Sequence, residues 1–207
     1  MGRELLQLLL ASPRYSAVHS LQRRALRQES SHAKLHSLLV SFEQLPALPA
    51  CDDVYIALGT TIKVAGSEAA FRQVDHDYVI AVARAGLAAG ATRLGVVSAL
   101  GADARSRVFY NRVKGEMEDA LITLGYESVV IAQPALLLGD REALGQAPRG
   151  GERWARRLLG PVAGLLPATF RPVPARNVAA ALVRALLAAK PGMIRVASRD
   201  MHDDTED

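Results

Sequence analysis

Cysteine occurs once, as Cys51, which excludes an internal disulfide framework and any cysteine-rich metal site. Aromatic residues make up only 5% of the chain, so a core has to be built mainly from Ala, Leu and Val. The only lysines are Lys34, Lys63, Lys114 and Lys190, and arginine carries nearly all the positive charge. The net charge of +4 is spread along the chain with no basic block interleaved with aromatics, so nucleic acid is not an expected partner. No uninterrupted apolar run is long enough to span a bilayer. The opening run Leu5-Leu6-Gln7-Leu8-Leu9-Leu10 carries Glu4 and Gln7 and lacks a small-residue cleavage pattern. It reads as a buried helix, with a cytoplasmic location and no membrane partner as the expectation.

What is present is the composition of one soluble globular domain: 207 residues, half of them hydrophobic and 22% charged. Short apolar runs at 18–21, 37–40, 54–58, 94–98, 129–131 and 193–197 read as strands covered on both faces. Helical spacing fills the gaps at 2–10, 67–90, 108–124 and 177–189, with Ser67 as an N-cap and Gly125 just past a helix end. Strands alternating with helices indicate a parallel α/β sheet with right-handed crossovers. The pattern weakens over 141–176, which reads as a small substrate-side cap, and 201–207 reads as a frayed acidic tail.

The sharpest local signal is Tyr110-Asn111-Arg112-Val113-Lys114 on one of these helices. A spacing of four puts the phenol and the ammonium on one face, one turn apart. A cation beside a phenol favours the phenolate, and a tyrosine tuned in this way can exchange a proton with a carbonyl or alcohol oxygen. Ser98 ends the preceding strand, where open α/β sheets place their ligands, and its hydroxyl suits a substrate oxygen beside Tyr110. With five tyrosines and four lysines, chance supplies such a pair about 0.1 times. Taken alone the pair reads equally well as a surface tyrosine packed on a lysine stem; the strand and serine before it favour the chemical reading.

Other clusters carry less. His76 between Asp75 and Asp77 suggests metal ligands, but adjacent helical positions point apart, and no metal is expected. Trp154 with Arg153, Arg156 and Arg157 reads as a solvated amphipathic turn, and Cys51 as a small buried or loop residue.

Ser98-Ala99-Leu100-Gly101-Ala102 followed by Phe109-Tyr110-Asn111-Arg112-Val113-Lys114-Gly115-Glu116 resembles the active-site region of short-chain dehydrogenases/reductases. More narrowly, it is similar to the atypical branch of small NAD(P)H-binding proteins related to Tat-interacting oxidoreductases and sugar-nucleotide epimerases. Ala57-Leu58-Gly59-Thr60-Thr61 resembles that branch's fourth-strand turn, Phe71 to Tyr78 the start of its interface helix, and Gln133 to Gly139 the loop near its nicotinamide. The resemblance covers residues 2–140 well and the remainder loosely. It implies a Rossmann-like doubly wound parallel sheet, with Tyr110 as acid/base, Lys114 as its electrostatic partner and ribose anchor, and Ser98 as substrate orienter. Ala57, Leu58, Gly59, Thr60 and Pro134 would line the cofactor. Arg23 and Arg24 follow the strand at 18–21, where an NAD-selective protein usually has an acid, so NADP is favoured, with NAD the alternative; on their own the two read equally well as a solvated arginine pair. A homodimer through the helix opened by Ser67 is also implied.

The same family pattern opens with a strand and the turn Gly-x-x-Gly-x-x-Gly. Here Gly2 resembles the last glycine of that turn, and the first strand and two glycines have no counterpart in the sequence. Either Met1 is an internal methionine of a longer chain or the protein is a truncated relative; the intactness of everything after Gly2 favours the former. In strand order 3-2-1-4-5-6 the first strand is central, so its neighbours must close a gap or leave ladder groups unpaired. Two functions follow as expectations. One is an epimerase-like or oxidoreductase enzyme moving hydride at a carbonyl or alcohol of a small molecule with Ser98, Tyr110 and Lys114. The other is a non-catalytic dinucleotide-sensing or protein-binding module.

Overall fold

A computed structural model of the chain describes residues 1–24, 32–135, 137–138 and 171–202. The strands are β1 (Val18–Gln22), β2 (Leu35–Leu39), β3 (Asp53–Ile56), β4 (Arg93–Val97), β5 (Ser128–Gln133), β6 (Leu137–Leu138), β7 (Val173–Pro174) and β8 (Gly192–Ala197). The helices are α1 (Gly2–Ala11), α2 (Ile62–Ala65), α3 (Glu68–Arg72), α4 (Tyr78–Ala88), α5 (Phe109–Ile122) and α6 (Ala175–Ala188).

The main sheet is parallel, in the order β3-β4-β5-β8. Its strands alternate their faces, as the period of two requires. Val54, Ile56, Leu94, Val96, Val129 and Ile131 pack with Val79, Val82, Met117 and Leu121 of α4 and α5. Val97, Val130 and Ala132 pack on the other face with Val178, Ala181, Leu182 and Leu186 of α6. Leu5 and Leu9 of α1 pack beside that layer against Ala179 and Val183 of α6. A sheet covered on both faces needs apolar residues throughout, which is why β4 and β5 are almost wholly buried.

The second feature is a break. β1 pairs in parallel with β2 as a separate two-stranded sheet, and β3 is an edge of the four-stranded one. Among the described residues no ladder joins β1 to β3. The fold still holds β1 in place through its side chains: Leu21 packs toward the α4–α5 core, and Val18 toward Leu5 and Leu9 of α1.

Three sequence expectations change. The single helix expected over 67–90 is interrupted by a π-helical turn, Gln73–Asp77, between α3 and α4. The Ser67 cap is real, with its hydroxyl accepting from Ala70 N at 3.1 Å. The expected tail at 201–207 begins too early, because Met201 is fully buried in the α6 core and only 203–207 lie outside the described residues. Within the expected cap, 141–170 lie outside the described residues, while Val173–Pro174 pair with β6 and Ala175 begins α6.

Candidate active site

Ser98 is the first residue after β4, and its neighbours explain its position. Its backbone N donates to Ala132 O at 2.8 Å, and Leu100 N donates to Pro134 O at 2.9 Å, so the loop leaving β4 runs along the end of β5. Gly101 then turns the chain at a φ of +80°, a conformation that glycine tolerates best. Ser98 is 6% exposed, and its Oγ has no hydrogen-bond partner among the described residues. A buried hydroxyl without a partner is costly unless a ligand supplies one.

The loop returns to α5 and is clamped there. Asp103 N donates to Asn111 O at 3.0 Å. Gly115 lies directly against the backbone of Asp103 and Ala104, where a Cβ would collide with main-chain atoms. This contact brings the first two turns of α5, with Tyr110 and Lys114, close under the Ser98 loop. The Tyr110 ring lies against Phe71 of α3, 5.4 Å between centroids, and Phe109 lies 5.9 Å from the Phe71 ring. Beside them Arg72 and Glu116 form a half-exposed ion pair.

Lys114 is buried, and its ammonium meets Asp75 of the π turn, Nζ to Oδ1 2.8 Å. The other carboxylate oxygen accepts from Thr60 N at 2.7 Å. Gly59 fits closely over this pair, since a Cβ there would stand 3.1 Å from Asp75 Oδ1. Lys114, Gly59 and Thr60, assigned to one site from the sequence, thus meet on a single carboxylate. Ala57 and Leu58, half-buried, lead from β3 into the same loop, and Pro134 is buried beside the Ser98 loop. Arg23 and Arg24 are exposed just past β1, and Gly2 is exposed at the start of α1.

The sequence reading missed Asp75 as part of this arrangement. The signal was available: Phe71, Asp75 and Val79 share a spacing of four, so Asp75 falls on the core-facing stripe of the helix. A carboxylate on such a stripe must have a cation or donors as partners. Asp75 does not join its sequence neighbours: His76 Nδ1 pairs with exposed Asp77 at 2.7 Å on the outside. Cys51 is half-buried, and burial pushes its thiol above the usual range, which disfavours the thiolate. Trp154 and its arginines lie outside the described residues.

No family model matches the chain. Among characterised proteins it is 34% identical over 150 residues to the protein fmp52, mitochondrial, of Emericella nidulans, covering 69% of this chain and 64% of that one. It is 34% identical over 164 residues to the protein HTATIP2 of Rattus norvegicus, covering 77% of this chain and 66% of the relative. With FMP52, mitochondrial, of Candida albicans the identity is 31% over 179 residues, covering 78% and 77%. The chain thus spans about two thirds of the length of the first two relatives. The fungal relatives are named mitochondrial, which overturns the cytoplasmic expectation drawn from the lack of a leader-like start.

In three dimensions the chain is similar to MoeE5 in complex with UDP-glucose and NAD, with a TM-score of 0.68 at 15% identity, covering 95% of this chain and 72% of that one. It is also similar to a short chain dehydrogenase family protein from Francisella tularensis, TM-score 0.66 at 14% identity, covering 96% and 93%. The fold is therefore Rossmann-like, as the family resemblance implied, and the parallel sheet is the one expected from the alternation of strands and helices. At such identities the likeness carries the fold and no more.

Proposed function

This chain belongs to the atypical short-chain dehydrogenase/reductase family of the FMP52 and HTATIP2 proteins, and from that premise we propose that it is an NAD(P)-dependent oxidoreductase or epimerase-like enzyme acting on a carbonyl or alcohol. The observation that carries the proposal is the buried, unpartnered Ser98 hydroxyl at the carboxyl end of β4, with Tyr110 and Lys114 on the helix clamped to its loop.

The residues present fit the nicotinamide half of a dinucleotide. Among the described residues Ser98 Oγ has no hydrogen-bond partner, and Gly59 presents no side chain beside Lys114. When bound, the nicotinamide supplies or takes the hydride. In reduction, Ser98 holds the carbonyl oxygen and the Tyr110 hydroxyl gives its proton to that oxygen as the alcohol forms; in oxidation the tyrosine takes the proton back. Lys114 favours the deprotonated tyrosine between these steps and anchors the ribose hydroxyls. Arg23 and Arg24 at the exit of β1 suit a 2′-phosphate, so NADP is preferred over NAD in this reading. By analogy with its fungal relatives, the protein resides in mitochondria.

The alternative reading is a dinucleotide sensor without turnover. Calorimetry with NADPH and NADH, and hydride transfer to a panel of small carbonyl compounds, test both. The enzyme reading expects Tyr110→Phe to abolish transfer with cofactor affinity largely retained. Cofactor binding with no transfer by the unaltered chain, and an affinity unmoved in the variant, would leave the sensor.

A further inference from the structure

Two helices meet here in matched rungs. On one, Phe71 and Asp75 are four residues apart; on the other, Tyr110 and Lys114 have the same spacing. Phe71 touches the Tyr110 ring and Asp75 bonds the Lys114 ammonium. Asp75 of this second rung lies within the π turn, a rare helical geometry that is frequent at functional sites, and Val79 and Val82 beyond it are buried in the core.

Burying an ion pair is a poor way to gain stability, since an apolar pair of similar size serves as well or better. Asp75 and Lys114 are nonetheless 1% and 5% exposed. Both carboxylate oxygens are committed, one to Lys114 and one to the backbone of Thr60 in the loop leaving β3. Glycine at 59 leaves the carboxylate room.

We propose that Asp75 is a positioning residue for the reaction: it fixes Lys114 against the Gly59–Thr60 loop and offsets part of the ammonium's charge, setting the proton affinity of Tyr110. The inference rests on the reading of Tyr110 and Lys114 as an acid/base pair. It differs from a purely structural role in what it expects of the tyrosine. With Asp75 as a neutral amide, Thr60 N keeps an acceptor, but the ammonium acts on the phenol without its counter-ion. The tyrosine then releases its proton more easily.

The test needs no substrate. The whole chain is labelled with 13Cζ-tyrosine, and the Tyr110 resonance, assigned by its loss in Tyr110→Phe, is followed against pH. Asp75→Asn is expected to lower the Tyr110 midpoint by about one unit, and Lys114→Met to raise it. If Lys114→Met leaves the midpoint in place, the acid/base pairing itself fails. If Lys114→Met raises it and Asp75→Asn does not lower it, the role of Asp75 fails and the pairing stands. Should Asp75→Asn not fold, the pair Lys114→Met and Lys114→Met/Asp75→Asn decides. Removing the carboxylate in that background lowers the midpoint if Asp75 acts on Tyr110, and equal midpoints overturn the proposal.

Discussion

The Tyr15 hydroxyl donates to Asp53 Oδ2 at 2.6 Å, and this bond crosses the break between the two sheets. Tyr15 precedes β1 and Asp53 opens β3, so where no ladder joins the two strands a side chain does. The same hydroxyl lies 2.7 Å from Tyr55 OH, and Arg93 closes the group on Asp53 with bonds of 2.6 and 2.9 Å. Tyr15→Phe is expected to lower stability by about 1–2 kcal/mol, because Asp53 keeps Arg93 but loses one of its donors. Urea denaturation would show it as a lower midpoint at unchanged slope.

The same cluster makes stability fall in alkali. Burial pushes Tyr55 up to about 12, and burial together with the Asp53 bond raises Tyr15 further. A phenol whose folded pKa is raised stabilises the fold fully below its unfolded value of about 10. That contribution is lost as pH rises from there through about 12. Denaturation midpoints measured from pH 8 to 11.5 should therefore decline above about pH 10, and less steeply in Tyr15→Phe. Equal slopes in the two proteins would remove Tyr15 from the account.

Ser98→Ala separates function from stability. The hydroxyl is buried without a partner, so its removal deletes an unsatisfied polar group and should leave the thermal midpoint unchanged or slightly higher. Hydride transfer should fall by two to three orders of magnitude, roughly the effect of losing one oriented donor at a reacting oxygen. A clear drop in thermal midpoint would mean that Ser98 is bonded within the fold.

Gly115→Ala drives a methyl into the Asp103–Ala104 backbone. Neither main-chain segment can give way cheaply, so a loss of about 2–3 kcal/mol is expected, within the cost of overpacking a tight contact. For a chain of this size that corresponds to a thermal shift of about 4–12 °C. Cofactor affinity should fall with it, because the Ser98 loop is displaced.

Glu118 is buried at 2% exposure and bound by Gln133 Nε2 at 2.9 and 3.0 Å and by Arg195 Nε at 3.1 Å. It ties α5 to β5 and to the outer strand β8. Glu118→Ala should cost about 2 kcal/mol, at the low end for a broken buried pair because Arg195 is 41% exposed and can turn to water. Hydrogen exchange along β8 should accelerate more than along β4. Uniform acceleration would contradict a local tie.

The regular elements were legible because they follow from periodicity. Residues 94–98, apolar up to Ser98, and the apolar run 129–131 both became central strands, the first shifted by one residue to Arg93–Val97 and the second extended at both ends to Ser128–Gln133. Gly125 past α5 and Ser67 before α3 were legible because each does something only a few residue types do. The π turn was not, since 73–77 reads equally well as helix. β6 and β7 were missed for a similar reason: two-residue strands carry no period, and their pairing joins segments far apart in the chain.

The sequence by itself determined the alternating α/β order and the apolar faces, because local spacing and side-chain type are enough for these, and it singled out Ser98, Tyr110 and Lys114 as candidates through their resemblance to a family pattern. The tertiary structure alone decided that Lys114 is held by Asp75, that the Ser98 hydroxyl is buried without a partner among the described residues, and that Tyr15 links the segment before β1 to β3. Each of these depends on which distant segments burial brings together, and a buried charge takes whichever partner the packing places within reach.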